Sequence, residues 1–205
     1  VRYPAGHKQA SRRKILDAAA ELFRRRGIEA TGVDSVMAAA GLTAGGFYSH
    51  FRSKEALIAA AVDTAGEEAA ERWFAPLAAR RGPAWSRAFV ARYLSEEHRD
   101  DRSSGCLVPS LAADVSRAGP APRRHFERRL RGFFDVVAEQ AGATTARERE
   151  RALGAIALCV GGVLLSRVVV DRKLSGEILA ACRASARQLL EGNEGRHGQG
   201  TERER

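Results

Sequence analysis

The apolar residues of this chain recur at helical spacing. Ile15, Ala19, Leu22 and Phe23 fall at i, i+4, i+7 and i+8 within residues 11–26, and Gly27 stands where a helix C-cap belongs. Thr31, followed three residues later by Asp34, matches an N-terminal capping pattern and opens a second, short helix through VDSVMAAA, closed by Gly41. Thr43 caps a third helix, AGGFYSHF, and Ser53 a fourth, KEALIAAAVDTAGEEAAERWF. After the break APLAARRGPAW, Pro83 suits the first turn of a fifth helix whose Trp85, Ala88, Phe89, Arg92 and Tyr93 share a face. The polar stretch HRDDRSSG (98–105) precedes a sixth with Leu107, Leu111 and Val115 in register, ended by Gly119, Pro120 and Pro122. Phe126, Leu130, Phe133, Phe134 and Val137 stripe a seventh. Thr145 and Glu148 offer a capping box for the eighth, and Ser175 opens a ninth with Ile178, Cys182, Ser185 and Leu189 on its inner face. No stretch alternates cleanly over five or six residues. The pattern predicts an all-α protein of about nine helices.

Between residues 33 and 50 the apolar positions Val36, Ala40, Leu42 and Phe47 lie where two crossed helices bury them, with a glycine in the turn between. This is a helix-turn-helix signature. It divides the chain into a three-helix DNA-binding domain (1–54), a larger helical domain (55–192) and a tail (193–205) expected to be disordered. The eighth helix is apolar nearly all round. Leu153, Ile156, Val160, Val163 and Leu164 form a large stripe; Ala155, Cys159, Gly162 and Ser166 form a small one. Large residues suit the chain's own core and small ones the close approach of a second copy. The expectation is a homodimer built on Ala155, Cys159, Gly162 and Ser166 with Ile178, Cys182 and Ser185.

Charge sharpens the assignment. The chain's formal net charge is +9, and residues 1–54 hold 10 Lys and Arg against 4 Asp and Glu. A basic excess on the helix-turn-helix segment points to a polyanionic partner, double-stranded DNA above all. The adjacent Gly45 and Gly46 raise a question, since each glycine in a helix interior costs roughly 1 kcal/mol relative to alanine. Removing side chains where backbone must come near DNA answers it.

Cys106, Cys159 and Cys182 are too few and too scattered for a disulfide framework, which suggests a reducing cytoplasm. The opening VRYPAGHKQASRRK has no apolar core of a secretory signal. The run ALGAIALCVGGVLLS (152–166) is short for a bilayer span and reads as a buried helix, so no membrane association is expected. His7, His50, His98, His125 and His197 lack metal-ligand spacing, and no phosphate loop, dinucleotide fingerprint or nucleophile elbow occurs. Neither a cofactor nor an enzyme activity is expected; a Cys106 pair with His98 or His125 is the remaining nucleophilic arrangement. The aromatic residues Trp73, Phe74, Trp85, Phe89, Tyr93, Phe126 and Phe133, with Cys106, are the candidate walls of a pocket for an apolar or amphipathic small molecule.

The run TGVDSVMAAAGLTAGGFYSHFRSKEAL (31–57), preceded by ILDAAAELFRRRGIEA, resembles the DNA-binding region of TetR-type bacterial transcriptional regulators. The resemblance rests on the AAxxLFxxxG pattern, the AGLT turn, the aromatic YxHF and the lysine of SKEAL. It implies a homodimeric regulator, in most relatives a repressor, whose third helix enters the major groove of a near-palindromic operator and which a small-molecule effector releases. It further implies phosphate contacts by Tyr48, His50 and Lys54, with Thr31 and Ser35 beside them. Base edges would face Thr43, Ala44 and Gly46, Gly45 with Gly46 would bring backbone close to the DNA with amides open to phosphate, and Ser49 would serve either target. Many relatives carry lysine, arginine or proline at the position of Ala44, so specificity here shifts toward Thr43, the glycine backbone and DNA shape. Two rival functions are a regulator sensing oxidants or electrophiles through Cys106 and an architectural protein with little sequence preference.

Overall fold

A computed structural model describes residues 5–102 and 105–192; the expected disordered tail, 193–205, lies outside them. Every regular element among the described residues is helical. In chain order they are α1 (Ala5–Arg26), α2 (Val33–Ala39), a 3-10 segment (Ala44–Ser49), α3 (Lys54–Phe74), a 3-10 turn (Ala75–Leu77), α4 (Gly82–Tyr93), α5 (Glu96–Asp100), α6 (Leu107–Arg117), α7 (Pro120–Ala141), α8 (Ala146–Val168) and α9 (Arg172–Glu191). The all-α expectation holds. The described residues form two compact units that do not follow chain order, one within 1–76 and 100–133, the other within 77–99 and 134–205. The expected boundary at residues 54 and 55 falls inside the first unit.

The first unit is organised around one apolar core. Ile15, Ala19 and Phe23 of α1 meet Val36 and Met37 of α2, Phe47 of the 3-10 segment, Leu57, Ile58 and Val62 of α3, and Leu111 and Val115 of α6. α1 ends as its sequence predicts, with Gly27 at φ +83° and its N–H donating to Phe23 O at 2.9 Å. It begins six residues earlier than the apolar pattern indicates. α2 lacks the expected cap: Gly32 occupies the N-cap, and the Thr31 hydroxyl donates instead to Gly27 O at 2.7 Å. The third helix is also different, because AGGFYS winds as a 3-10 helix with Gly46 N–H bonded to Thr43 O and His50 N–H to Phe47 O. Two adjacent glycines weaken a continuous α-helix, and a tight i→i+3 turn holds this short piece instead. Thr43 makes no side-chain cap there, whereas Ser53 caps α3 by accepting from Ala56 N at 3.2 Å.

The second unit centres on the α8–α9 pair. The Thr145–Glu148 capping box forms as expected, and the backbone N–H groups of Thr144 and Thr145 hold the Glu148 carboxyl down to about 2. α9 starts at Arg172, three residues before Ser175, because the Asp171 carboxylate accepts from Lys173 N. Its inward positions are therefore Ser175, Leu179 and Ala186, and Ser185 is exposed. The polar stretch after α4 contains an unexpected helical turn, α5, in which His98 and Arg99 are buried. Guanidinium groups make that burial tolerable. Arg167 donates to the carbonyls of His98 and Arg99 at 2.7 and 2.9 Å, and Arg183 to that of Leu94 at 2.6 Å. As a 23-residue helix α8 is long and apolar enough to cross a membrane by length and composition, unlike the 152–166 run alone. One whole face of it is nevertheless buried in this unit.

Candidate nucleic-acid interface

The 3-10 segment is mounted on aromatic packing. Phe47 is fully buried, its ring 5.8 Å from Phe51 and nearly parallel to it. Tyr48 stands edge-on to Phe47 at 5.2 Å and is 77% exposed. A large aromatic side chain held so far into solvent by a rigid base is available to an external partner. Arg12 of α1 fixes the end of the segment: its Nη1 donates to His50 O at 2.6 Å, and its guanidinium lies 4.1 Å above the Phe51 ring. Arg12 thus braces the segment's C-terminal end as well as carrying charge. Arg13 is engaged elsewhere, with Asp17 at 2.8 Å and with Glu68.

The two glycines can be judged from the space around them. A Cβ on Gly45 would meet nothing within 4 Å, and one on Gly46 would touch Met37 Cε at 3.6 Å, an ordinary contact. Neither residue has a positive φ. The protein's own packing therefore demands glycine at neither position. Thr43, Ala44, Gly45 and Ser49 are exposed and Gly46 half-buried, so the residues expected to face DNA share the solvent side of the segment. The hydroxyls of Ser49 and Ser35 donate to Gly46 O and Gly32 O, both at 2.7 Å. A phosphate oxygen only accepts, so either serine must rotate off its carbonyl to reach one. His50 is half-buried with no hydrogen-bond partner for its Nδ1, and its pKa is lowered by burial first and then by Lys8, Arg12 and His7. Lys54 opens α3 on the rim of a cavity shared with Ile28, Glu29, Glu55 and Asp114.

One expected contact is overturned. Thr31 is 1% exposed and its hydroxyl proton is held by Gly27 O, so it braces the turn rather than reaching a phosphate. The pocket candidates divide between the units. In the first, Phe74 and Phe133 are half-buried and in contact, 6.0 Å between centroids, while Trp73, Cys106 and Phe126 are buried. In the second, Trp85, Phe89 and Tyr93 form a fully buried ladder, 4.9 and 5.6 Å between successive centroids, that continues onto His98. That ladder is core rather than pocket wall. His98 Nδ1 lies 2.7 Å from Tyr93 O, and His125 Nδ1 lies 2.8 Å from Asp63, so both rings are committed to structural contacts. Among the described residues no cluster of three or more His, Cys, Asp and Glu could hold a metal.

The expected dimer residues are largely turned inward. Ala155, Cys159, Gly162 and Ser166 are buried within their own unit, and a Cβ on Gly162 would lie 2.8 Å from Leu94 Cδ2 and 2.9 Å from Cys182 Cβ. The small stripe thus admits α9 and the end of α4, not a second copy. Burial pushes the Cys159 thiol up to about 12. The outward stripe of α8 is Ala157, Gly161, Leu164 and Val168, with Leu165 beside it, and α9 presents Leu174, Ile178, Ala181 and Ser185 at the same spacing. Val168 is 71% exposed and Val170 96%.

Residues 15–61 match the model of the "Bacterial regulatory proteins, tetR family". Residues of the chain are 45% identical over 51 positions to the HTH-type transcriptional repressor KstR2 of Rhodococcus jostii (strain RHA1), spanning a quarter of each protein. Similarity to the HTH-type transcriptional regulator LmrA of Bacillus subtilis (strain 168) is longer, 29% over 161 residues, or 76% of this chain and 86% of that one. A crystal structure of a TetR transcriptional regulator from Chloroflexus aurantiacus J-10-FL superposes with a TM-score of 0.73 at 25% identity, covering 89% of this chain and 95% of the other. The family match over residues 15–61, the regulator relatives and the structural likeness together support a TetR-type bacterial transcriptional regulator rather than an enzyme.

Proposed function

We propose that the protein is a cytoplasmic, homodimeric repressor that binds a near-palindromic DNA operator and is released from it by an apolar or amphipathic small molecule. The observation that carries the DNA reading is the 3-10 segment, with Tyr48 projecting from a buried Phe47–Phe51 base and an unobstructed glycine backbone before it. Tyr48, His50 and Lys54 contact phosphates, with Ser35 after rotation of its hydroxyl. Thr43, Ala44 and Gly46 face base edges, the backbone of Gly45 and Gly46 comes close to the duplex, and Ser49 serves either. The homodimer is supported by the exposed apolar surface of α8 and α9, with Leu164, Leu165, Val168 and Leu174 at its centre. Ile178 and Ser185 remain in that interface. The effector is held beside α3 and α7, where Phe74 and Phe133 offer a half-buried aromatic wall, with the buried Trp73, Cys106 and Phe126 as further candidate lining. By preferring one separation of the two DNA-binding heads, it weakens operator binding.

Fluorescence anisotropy on DNA flanking the protein's own gene tests this reading, with scrambled DNA as control and a Tyr48→Ala variant alongside. Preferential binding to the flanking DNA, lost in the variant, is the expected result. Absence of binding to either duplex at low salt overturns the assignment of the 44–49 segment.

A further inference from the structure

α1 begins well before its packing does. The helix starts at Ala5, yet Gly6, His7, Lys8, Gln9 and Ala10 are all exposed and the first buried position is Ser11. Helical turns that bury nothing are marginal in water. The charges there are also placed against the helix dipole, because the first turn holds no acidic residue while Lys8 and Arg12 follow it. Asp17, the first acid along the helix, is taken by Arg13.

Lys8 and Arg12 are four residues apart and share one face of α1. Arg12 fixes where that face points, through its bond to His50 O and its seat over Phe51. Lys8 therefore sits one turn, about 6 Å, further along the same edge, past the end of the 3-10 segment. Burial first, and then Lys8, Arg12 and His7 as like charges, disfavour protonation of His50. Lys8 makes no hydrogen bond or ion pair with any described residue. A pair of cations with no countercharge among the described residues, continuous with the proposed DNA-facing surface, is complementary to a polyanion.

We propose that the first two turns of α1 form a second phosphate-binding edge, in which Lys8 contacts the duplex backbone beside the stretch addressed by residues 44–49. The proposal rests on the DNA-binding reading and extends its footprint. The contact carries no base information, so it strengthens binding to any duplex alike.

The test is the salt dependence of anisotropy for wild type, Lys8→Gln, Lys8→Arg and Tyr48→Ala, each on the flanking and the scrambled duplex. Losing one phosphate contact lowers the slope of log affinity against log salt by about 0.9 per bound chain and weakens binding roughly 3–10-fold. Lys8→Gln should show this on both duplexes while keeping the preference for flanking DNA, and Lys8→Arg should match wild type. Circular dichroism confirms that helix content is unchanged. An unaltered slope in Lys8→Gln, with Tyr48→Ala still abolishing preference, overturns the edge and leaves the helix-turn-helix reading standing. Equal weakening in Lys8→Arg also overturns it, since charge would then not be the cause. Failure of wild type to bind either duplex overturns both.

Discussion

The Asp114 carboxylate of α6 accepts the backbone N–H of Ile28 at 2.8 Å, tying α6 to the turn that follows α1. Its other oxygen accepts from Arg117 at 2.7 Å, and a Cβ on Gly27 would lie 2.6 Å from Oδ2. Gly27 is thus required twice, by its φ of +83° and by the carboxylate above it. Asp114→Ala leaves the Ile28 amide without its acceptor and should cost about 1–3 kcal/mol. Gly27→Ala should cost more in the native background than in Asp114→Ala, where only the backbone penalty of about 1–2 kcal/mol remains. Urea unfolding of both single variants and the double variant gives the coupling. Strictly additive costs would show that the carboxylate does not set the identity of residue 27.

The helices with strong periodicity and caps were legible in the sequence: α1, α3, α6 and the capping box of α8 lie where Ile15, Phe23, Ser53, Leu111 and Thr145 place them. What escaped were relations between distant segments. Nothing local marks Thr31 as a brace for Gly27 rather than a phosphate ligand; its burial comes from packing around the turn. α5 was hidden because HRDD reads as solvated, and the carbonyl-binding arginines that permit its burial lie near residues 167 and 183. In and beside the 44–49 segment, the exposed positions Thr43, Ala44, Tyr48 and Ser49 were readable, because Phe47 and Phe51 supply the anchoring face.

The two stripes of α8 make opposite predictions under substitution. Gly162→Ala forces a methyl to within 2.8 Å of Leu94 and 2.9 Å of Cys182, an overpacking of about 1–3 kcal/mol. Val168→Glu puts a charge on a side chain that is exposed in the chain itself. The first should lower unfolding stability and be partly relieved by Cys182→Gly; the second should leave the chain folded but shift the assembly toward monomer. Sedimentation velocity beside thermal unfolding separates the effects. A folded dimer in Val168→Glu would move the interface away from the outward stripe.

His50 gives the protein two pH dependences of opposite sense. Its folded pKa is lowered, by burial first and by Lys8, Arg12 and His7, so protonation is less favourable folded than unfolded. The folded state is at its full stability above the unfolded value of about 6.5 and loses part of it as pH falls toward the folded pKa. A phosphate beside the ring favours the imidazolium, so DNA binding takes up a proton and should tighten as pH falls through the same window. Melting temperature and anisotropy, measured between about pH 7.5 and 5.5, should both flatten in His50→Gln. If wild-type affinity is constant over that range, His50 does not adjoin a phosphate.

Gly45 separates what the fold needs from what the partner needs. A methyl there meets no atom within 4 Å, and the residue's φ lies on the ordinary negative side. Gly45→Ala also restricts the unfolded chain, so it should raise stability by about 0.4–1 kcal/mol. The same methyl would stand on the exposed side of the 44–49 segment, beside Ala44, where the proposed interface brings duplex and backbone closest. Affinity for the flanking DNA should therefore fall at least tenfold, about 1.4 kcal/mol, while the melting temperature holds or rises. Gly32→Ala, likewise open within 4 Å but outside the segment, serves as the control. Loss of stability in Gly45→Ala would return the glycine to the fold. Unchanged affinity would mean that the segment does not approach DNA by its backbone.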